Sequence, residues 1–422
     1  MALPRNPFSR LLSFEVVLLI GLIFALPSLE APKNLLWLAY LVTWLVNRLR
    51  SRNFGGPWDK WDSLIALWIA SGYAIAPFAG LPHSEWGGAN DILRYAALLW
   101  LVKRSGYSPR ELVWLIAAMA LSTVIALGYG LWEWLVAHRS SALQLNSVGH
   151  VNHSAVYLAI SFGALLAAVM AFWTKLGALQ RLLGMGLALV FAAAVVLSAS
   201  RAAAGILLLL PLLLGIAWLR RSRVPLAILL LSTLLLAGSV YFIKPEVVQK
   251  QETNVKANNI LAFRDQIWNT ALAAWEKYPW FGVGMHNFNR IPMEQIKTWR
   301  AEAGKAYDPA RYIGTAHAHS LYFNTLAERG IVGAAVLAAV LLFWLYSLIR
   351  FLPQSGGSDL DWALWGGSMS AWVVTSGIGL VNTTLHHEHG MLAALLLGMW
   401  LAGMRARPNP AKPEPNGSLD GA

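Results

Sequence analysis

Long apolar stretches recur along almost the whole chain, and one polar stretch interrupts them late in the sequence. Each apolar stretch approaches the roughly 20 residues that a helix needs to cross the hydrocarbon core of a bilayer. Backbone groups in lipid must form their hydrogen bonds within the segment, which favours helices. The pattern predicts an all-α, polytopic membrane protein. About 12 transmembrane helices are expected, near residues 11–28, 34–50, 62–80, 91–104, 109–137, 151–173, 178–198, 201–219, 224–243, 330–352, 360–381 and 389–405.

The polar stretch divides the chain into four parts. Residues 1–243 are predicted to hold transmembrane helices 1–9, and residues 244–319 to form a large periplasmic loop that contains helices. Residues 320–407 are predicted to hold helices 10–12, after a lead-in on the periplasmic side. Residues 408–422 are rich in Pro, Asn and Gly and are predicted to form a disordered cytoplasmic tail.

Composition agrees with a membrane protein. Hydrophobic residues make up 57% of the chain and charged residues only 13%, whereas a soluble domain carries roughly 25% charged residues. The 21 Trp suit aromatic anchors at both membrane interfaces. The chain has no cysteine, which excludes disulfides, a thiol nucleophile and a thiolate metal site.

The net charge of +12 reflects membrane orientation, so no nucleic-acid partner is expected. With the N-terminus in the cytoplasm, the cytoplasmic loops carry most of the 33 basic residues, and the short loops opposite carry only Lys33, Arg139 and Arg201. Cytoplasmic loops are typically rich in Lys and Arg. We therefore expect both termini in the cytoplasm and the polar stretch in the periplasm. The first apolar run is followed by Pro27 and a second span, which indicates a retained helix and no cleavable signal.

Four short motifs lie on the predicted outer side. The first is His319-Ser320, followed after nine residues by Gly330-Ile-Val-Gly333. The second and third are Phe263-Arg-Asp-Gln-Ile-Trp268 and Tyr278-Pro-Trp-Phe-Gly-Val-Gly284, and the fourth is Ser198-Ala-Ser-Arg201. With the apolar profile, this set resembles the O-antigen ligases of Gram-negative bacteria. These enzymes share a fold with O-antigen polymerases and some protein oligosaccharyltransferases.

The resemblance implies an activity and roles for residues. Such an enzyme transfers O-antigen polysaccharide from undecaprenyl pyrophosphate to a sugar hydroxyl of lipid A core, which completes lipopolysaccharide at the periplasmic face of the bacterial inner membrane. His319 matches the essential histidine, and Arg201 and Arg264 match arginines that bind the diphosphate. The implied partners are the lipid-linked glycan donor, the lipid A core acceptor and membrane lipids. No cofactor is implied.

The residue types suit this chemistry. The diphosphate of the donor is a good leaving group, so the enzyme must stabilise its negative charge and remove a proton from the attacking hydroxyl. Arginine is always charged and binds phosphate oxygens in a bidentate fork. Histidine titrates near neutral pH and suits proton removal. We therefore predict Arg201 and Arg264 as diphosphate ligands and His319 as the catalytic base.

Each of these residues also has a structural interpretation. Arg201 lies at the membrane edge, where an arginine also extends to lipid headgroups, and Arg264 suits a solvated helix face. His319 suits the first turn before a helix that Ser320 caps. His317 would point to another side if both histidines lay on a helix, so it is a secondary candidate, together with His286 and Arg290.

Two motifs were considered as metal sites, and no metal site is expected. Asp359-Leu-Asp361 resembles the Asp-x-Asp pair of many glycosyltransferases, but it is predicted on the cytoplasmic side, where a helix N-terminus explains it. His386-His387-Glu388-His389 has suitable ligand types but lacks the usual zinc spacing.

A helix from Ser320 to Arg350 would exceed the thickness of the bilayer core. A kink at Gly330 and Gly333 would let its first part lie at the surface and present His319. Close helix packing at small residues is the alternative role for this glycine pair.

Three further functions remain open. A polymerase of the same superfamily would use a second undecaprenyl-linked glycan as acceptor, and a protein oligosaccharyltransferase would use a protein hydroxyl. A transporter or flippase would perform no chemistry. The transporter is disfavoured because the predicted spans contain few ionisable residues, chiefly Glu15 and Glu133.

Overall fold

The structure, a computed structural model, describes residues 8–140, 142–198, 200–221 and 263–405. Within these ranges the chain forms α-helices, joined by short 3₁₀ turns and loops, and no strand. The helices are α1 (Phe8–Ala25), α2 (Glu30–Ser51), α3 (Lys60–Ile75), α4 (Glu85–Arg104), α5 (Pro109–Leu135), α6 (Val151–Ala171), α7 (Ala178–Leu197), α8 (Arg201–Trp218), α9 (Arg264–Lys277), α10 (Met293–Glu302), α11 (Leu321–Arg350), α12 (Asp359–Ile378) and α13 (His387–Arg405).

The helices agree with the predicted spans wherever the chain is described. The ninth predicted span, 224–243, and the predicted tail, 408–422, lie outside the described residues. The predicted division between the seventh and eighth spans is confirmed, since α7 ends at Leu197 and α8 begins at Arg201. Five helices, α5, α6, α7, α8 and α11, are long and apolar enough to cross a membrane. The all-α class is confirmed for the described residues, and the count of twelve stays a prediction.

Helix α6 lies at the centre of the fold. It is buried from His153 to its end and contacts α5, α7, α8, α12 and α13. Small residues allow α12 to approach it closely, because a Cβ on Gly163 would lie 2.5 Å from Ser370 and one on Gly366 would lie 2.6 Å from Ala167. Close approach at small residues is the usual basis of helix packing in membranes.

A buried ionic network closes one end of the fold. Asp62 of α3 accepts hydrogen bonds from Lys103 at 2.7 Å and from Arg104 of α4 at 2.7 and 2.9 Å. Arg405, at the end of α13, donates to Asp59 at 2.8 Å. These basic residues were predicted for one side of the membrane, and the structure brings them to one end. Which side that end faces stays a prediction.

The described part of the polar stretch has a hydrophobic core of its own. Buried residues of α9 and α10, including Ile267, Ala274 and Ile296, pack together with Phe288. Trp268 of α9 stacks on Phe323 in the first turn of α11, with ring centroids 5.0 Å apart. The described part of the polar stretch is therefore folded, and it packs against the start of α11.

Helix α11 is broken at Gly330, as the sequence predicts. Gly330 has non-helical backbone angles, φ 60° and ψ −162°. A Cβ there would lie 2.3 Å from the backbone of Trp280, so only glycine fits. The freed backbone groups pair with the loop before α10, since Ile331 and Val332 donate to the carbonyls of Pro279 and Trp280 at 2.8 and 3.2 Å. The partner at the break is thus a loop, and the alternative of helix packing does not apply to Gly330.

Candidate active site

The loop 379–386, which connects α12 to α13, holds the predicted site residues together. The backbone N–H of Leu321 donates to the carbonyls of Gly379 and Asn382 at 2.8 and 3.0 Å. Arg264 Nε, at the start of α9, donates to the carbonyl of Val381 at 2.9 Å. One loop therefore fixes the beginning of α11 and the beginning of α9, and it carries His386 at its own end.

His319 lies in the turn immediately before α11. Its φ of 46° is in the left-handed region, and Ser320 caps the helix by accepting from the N–H of Phe323 at 3.4 Å, as predicted. The Nδ1 atom of His319 is buried, and no hydrogen bond to it is found among the described residues. Burial lowers the pKa of His319 below its usual range, and the charges of Arg264 and His150 lower it further. A neutral imidazole is therefore available at neutral pH.

Arg201, Arg264 and His319 form one electrostatic group. Arg201 is the first residue of α8 and is half-buried, as is Arg264. Burial lowers the pKa of Arg264, and the positive charge of Arg201 lowers it further. The positive charge of Arg264 in turn lowers the pKa of His319. Arg264 thus lies within electrostatic range of both Arg201 and His319, which belong to two other motifs, and arginine side chains are permanent cations.

His317 lies beside His319, and the separation that a helix would impose on the two does not arise. Their ring centroids are 4.4 Å apart, because both precede α11 and neither lies on a helix. Burial lowers the pKa of His317 to about 4, and the neighbouring His319, His150 and His387 act in the same direction. Two neutral imidazoles therefore lie at the start of α11.

A polar cavity of about 400 Å³ lies next to His317. His286, His386 and His387 also line it. Of the secondary candidates, His286 thus faces the cavity, whereas Arg290 is exposed at the end of a 3₁₀ turn. His286 Nε2 lies 3.3 Å from Asp91 Oδ2, and this hydrogen bond raises the pKa of His286 against the opposing effect of burial.

Sequence reasoning missed Glu328 and Arg329, which also line the cavity and are only 8% and 7% exposed. Glu328 accepts from Asn324 Nδ2 at 2.9 Å, and Arg329 donates to Ser71 Oγ at 2.8 Å. A signal was present, since this charged pair immediately precedes Gly330 in an otherwise apolar segment. Ionisable residues in such segments are usually functional.

The histidines near the start of α13 also meet a histidine from another helix. The ring of His153, in α6, has its centroid 5.7 Å from that of His386 and 5.2 Å from those of His387 and His389. The sequence spacing of His386–His389 alone did not predict this cluster. In contrast, Asp359 lies away from these histidines, where its carboxylate pairs with Arg221 and, at 2.7 Å, with Lys175.

Comparison with known proteins adds one match. The family model described as O-antigen ligase matches residues 186–338, which include Arg201, Arg264 and His319. No curated protein matches the chain. The family match confirms the resemblance seen in the sequence motifs. The matched segment is about a third of the chain, and it is this segment that is similar to the O-antigen ligase family. Together with the apolar helices, the match indicates a multi-pass membrane protein.

Proposed function

We propose that this chain transfers O-antigen polysaccharide from undecaprenyl pyrophosphate to a sugar hydroxyl of lipid A core on the periplasmic face of the inner membrane. The observation that carries the proposal is the grouping of Arg201, Arg264 and His319, which supplies two cations and one neutral base. All three lie within the segment that matches the O-antigen ligase family.

The diphosphate of the donor is assigned to Arg201 and Arg264. Two guanidinium groups within electrostatic range repel each other, and a dianionic ligand between them offsets that repulsion. Arg201 is also the first residue of α8, where backbone N–H groups without helical partners favour an anion. As the glycosidic bond breaks, negative charge grows on the diphosphate, so both arginines bind the transition state more tightly than the donor.

His319 is assigned as the base. The acceptor oxygen forms a bond to the anomeric carbon while the bond from that carbon to the diphosphate oxygen breaks. The electron pair of the broken bond leaves on the diphosphate, and the hydroxyl proton moves to the imidazole of His319. One displacement of this kind inverts the anomeric centre. His319 accepts the proton, and Arg201 and Arg264 stabilise the negative charge of the diphosphate, so the step requires no metal.

The polar cavity beside His317 is assigned to the acceptor sugar. Its volume of about 400 Å³ and its lining by Glu328, Arg329 and His286 suit a group with several hydroxyls. His317 lines the cavity and its ring lies 4.4 Å from that of His319, so an acceptor held there would lie near the base. This assignment leaves the membrane-edge Arg201 for the lipid-linked donor.

The same donor chemistry serves an O-antigen polymerase or a protein O-oligosaccharyltransferase, which differ only in the acceptor. A transporter is less well supported. Glu15, the most buried ionisable residue in the first helix, is held by Asn47 at 2.9 Å and Arg48 at 3.4 Å. Such a fixed internal ion pair suits helix packing better than a substrate path.

The acceptor decides among the enzymatic alternatives. We suggest assaying the purified full chain with undecaprenyl-pyrophosphate-linked glycan and, in separate reactions, lipid A core, a second lipid-linked glycan, or a protein acceptor. A ligase forms product only with lipid A core, and His319→Ala serves as the inactive control. Longer lipid-linked chains would instead indicate a polymerase, glycosylated protein an oligosaccharyltransferase, and no product with any acceptor would contradict glycosyl transfer.

A further inference from the structure

Three histidines from separate parts of the chain converge beside the cavity. His153 is buried in the first turn of α6, His386 ends the loop 379–386, and His387 begins α13. One ring nitrogen of each lies within 4.8 Å of the others. The mechanism proposed above uses none of them.

The separation of these nitrogens is close to that of a metal centre. In a tetrahedral zinc site with Zn–N distances of about 2.1 Å, ligand nitrogens lie about 3.4 Å apart. The three nitrogens must therefore approach by about 1.4 Å, which small side-chain rotations supply. The cluster has the three-histidine donor set that zinc sites use when one position stays open.

Polar contacts around the cluster favour a cation. Nδ1 of His386 is buried, and no hydrogen bond satisfies it within the described part of the chain. A buried ring nitrogen without a partner is costly, and a metal ion would satisfy it. The carboxylate of Asp91 and the ion pair of Glu388 with Lys33 lie within electrostatic range of His387. The charge of Asp91 partly offsets the unfavourable effect of a cation at the positive end of α13.

We propose that His153, His386 and His387 bind a divalent transition-metal ion of the zinc class. Imidazole ligands suit zinc and its neighbours and not magnesium or calcium. His386 and His387 line the cavity, so an ion bound by them would be reached from it. The site does not depend on the proposed glycosyl transfer, and it is separate from Arg201, Arg264 and His319.

Metal binding can be measured without any activity. The full chain, purified without a polyhistidine tag and stripped with EDTA, would be titrated with Co²⁺ and then with Zn²⁺. We expect the visible absorption of tetrahedral Co²⁺ at one ion per chain, abolished by stoichiometric Zn²⁺. His386→Ala and His153→Ala should each weaken binding at least about 10-fold, the loss that even outer-shell changes cause.

His138→Ala is the matched control, because His138 is an exposed histidine outside the cluster, and it should bind metal like the wild type. Thermal unfolding would establish that each variant is folded. Should His153→Ala fail to fold, His386→Gln and His387→Gln still test the site. Absence of tetrahedral Co²⁺ absorption, or equal affinity in His386→Ala and His138→Ala, would overturn the proposal.

Discussion

Replacing His319 by alanine separates proton removal from donor binding. The imidazole is neutral near pH 7 because burial and Arg264 lower its pKa, so it accepts a proton but adds no charge to the diphosphate site. Removing a general base costs about 10²–10⁴ in rate, or roughly 3–5 kcal/mol of barrier. Donor affinity should remain near the wild-type value, because the interaction is made only in the transition state.

The arginine variants should behave in the opposite way. Arg201→Ala or Arg264→Ala removes charged hydrogen bonds to a group that is already anionic in the bound donor. Each such bond contributes about 1.5–3 kcal/mol, so donor affinity should fall roughly 10- to 150-fold, with a further loss of turnover. The difference in donor affinity between the arginine variants and His319→Ala should therefore exceed the usual error of a binding measurement.

The assay measures donor binding and turnover separately on folded, purified variants. Donor binding is followed by titration with lipid-linked glycan, and turnover by single-turnover transfer to the acceptor. His138→Ala is the control, because His138 is an exposed histidine outside the site. If His319→Ala lost donor binding as severely as Arg201→Ala, His319 would be a phosphate ligand. Near-normal turnover of His319→Ala would shift the base to His317 or His286.

Four further outcomes are expected. Transfer should continue in excess EDTA, even though EDTA would remove a metal ion from the proposed histidine site. Loss of transfer that one divalent ion restores would contradict metal independence, but it would not contradict the proposed metal site. NMR of the product should show inversion at the anomeric carbon, whereas retention would point to a carboxylate nucleophile such as Glu328. The single-turnover rate should fall at a lower pH than an unperturbed histidine base would give, because burial, Arg264 of α9 and His150 before α6 lower the pKa of His319, and the adjacent His317 is neutral near pH 7. A decline that begins above pH 7 would refute this. Gly330→Ala should lower thermal stability, since alanine at φ 60° costs about 1–2 kcal/mol before its clash with Trp280 is counted, whereas Gly128→Ala, with no atom within 4 Å of its Cβ, should leave stability unchanged or raise it.

The sequence alone determined the class of fold and the positions of the described apolar helices, but not that of α10 in the polar stretch. Apolar runs can be read locally from the sequence. Because backbone groups in lipid must form their hydrogen bonds within the segment, an apolar run of sufficient length predicts a helix. The break at Gly330 was also predictable, because a helix from Ser320 to Arg350 is too long for a bilayer without one. Arg201 was visible as a departure from an apolar background, whereas Arg264 and His319 lie in the polar stretch and were found through the resemblance to a known family.

Only the tertiary structure decided which polar residues meet. His153 belongs to α6 and His386 to the loop before α13, so no spacing along the chain predicts that their rings lie 5.7 Å apart. The relation of His317 to His319 was predicted only for a helix, whereas the backbone before α11 is not helical and has a φ of 46° at His319. Helix packing and the loop 379–386 set these contacts, since both depend on parts of the chain that are distant in sequence.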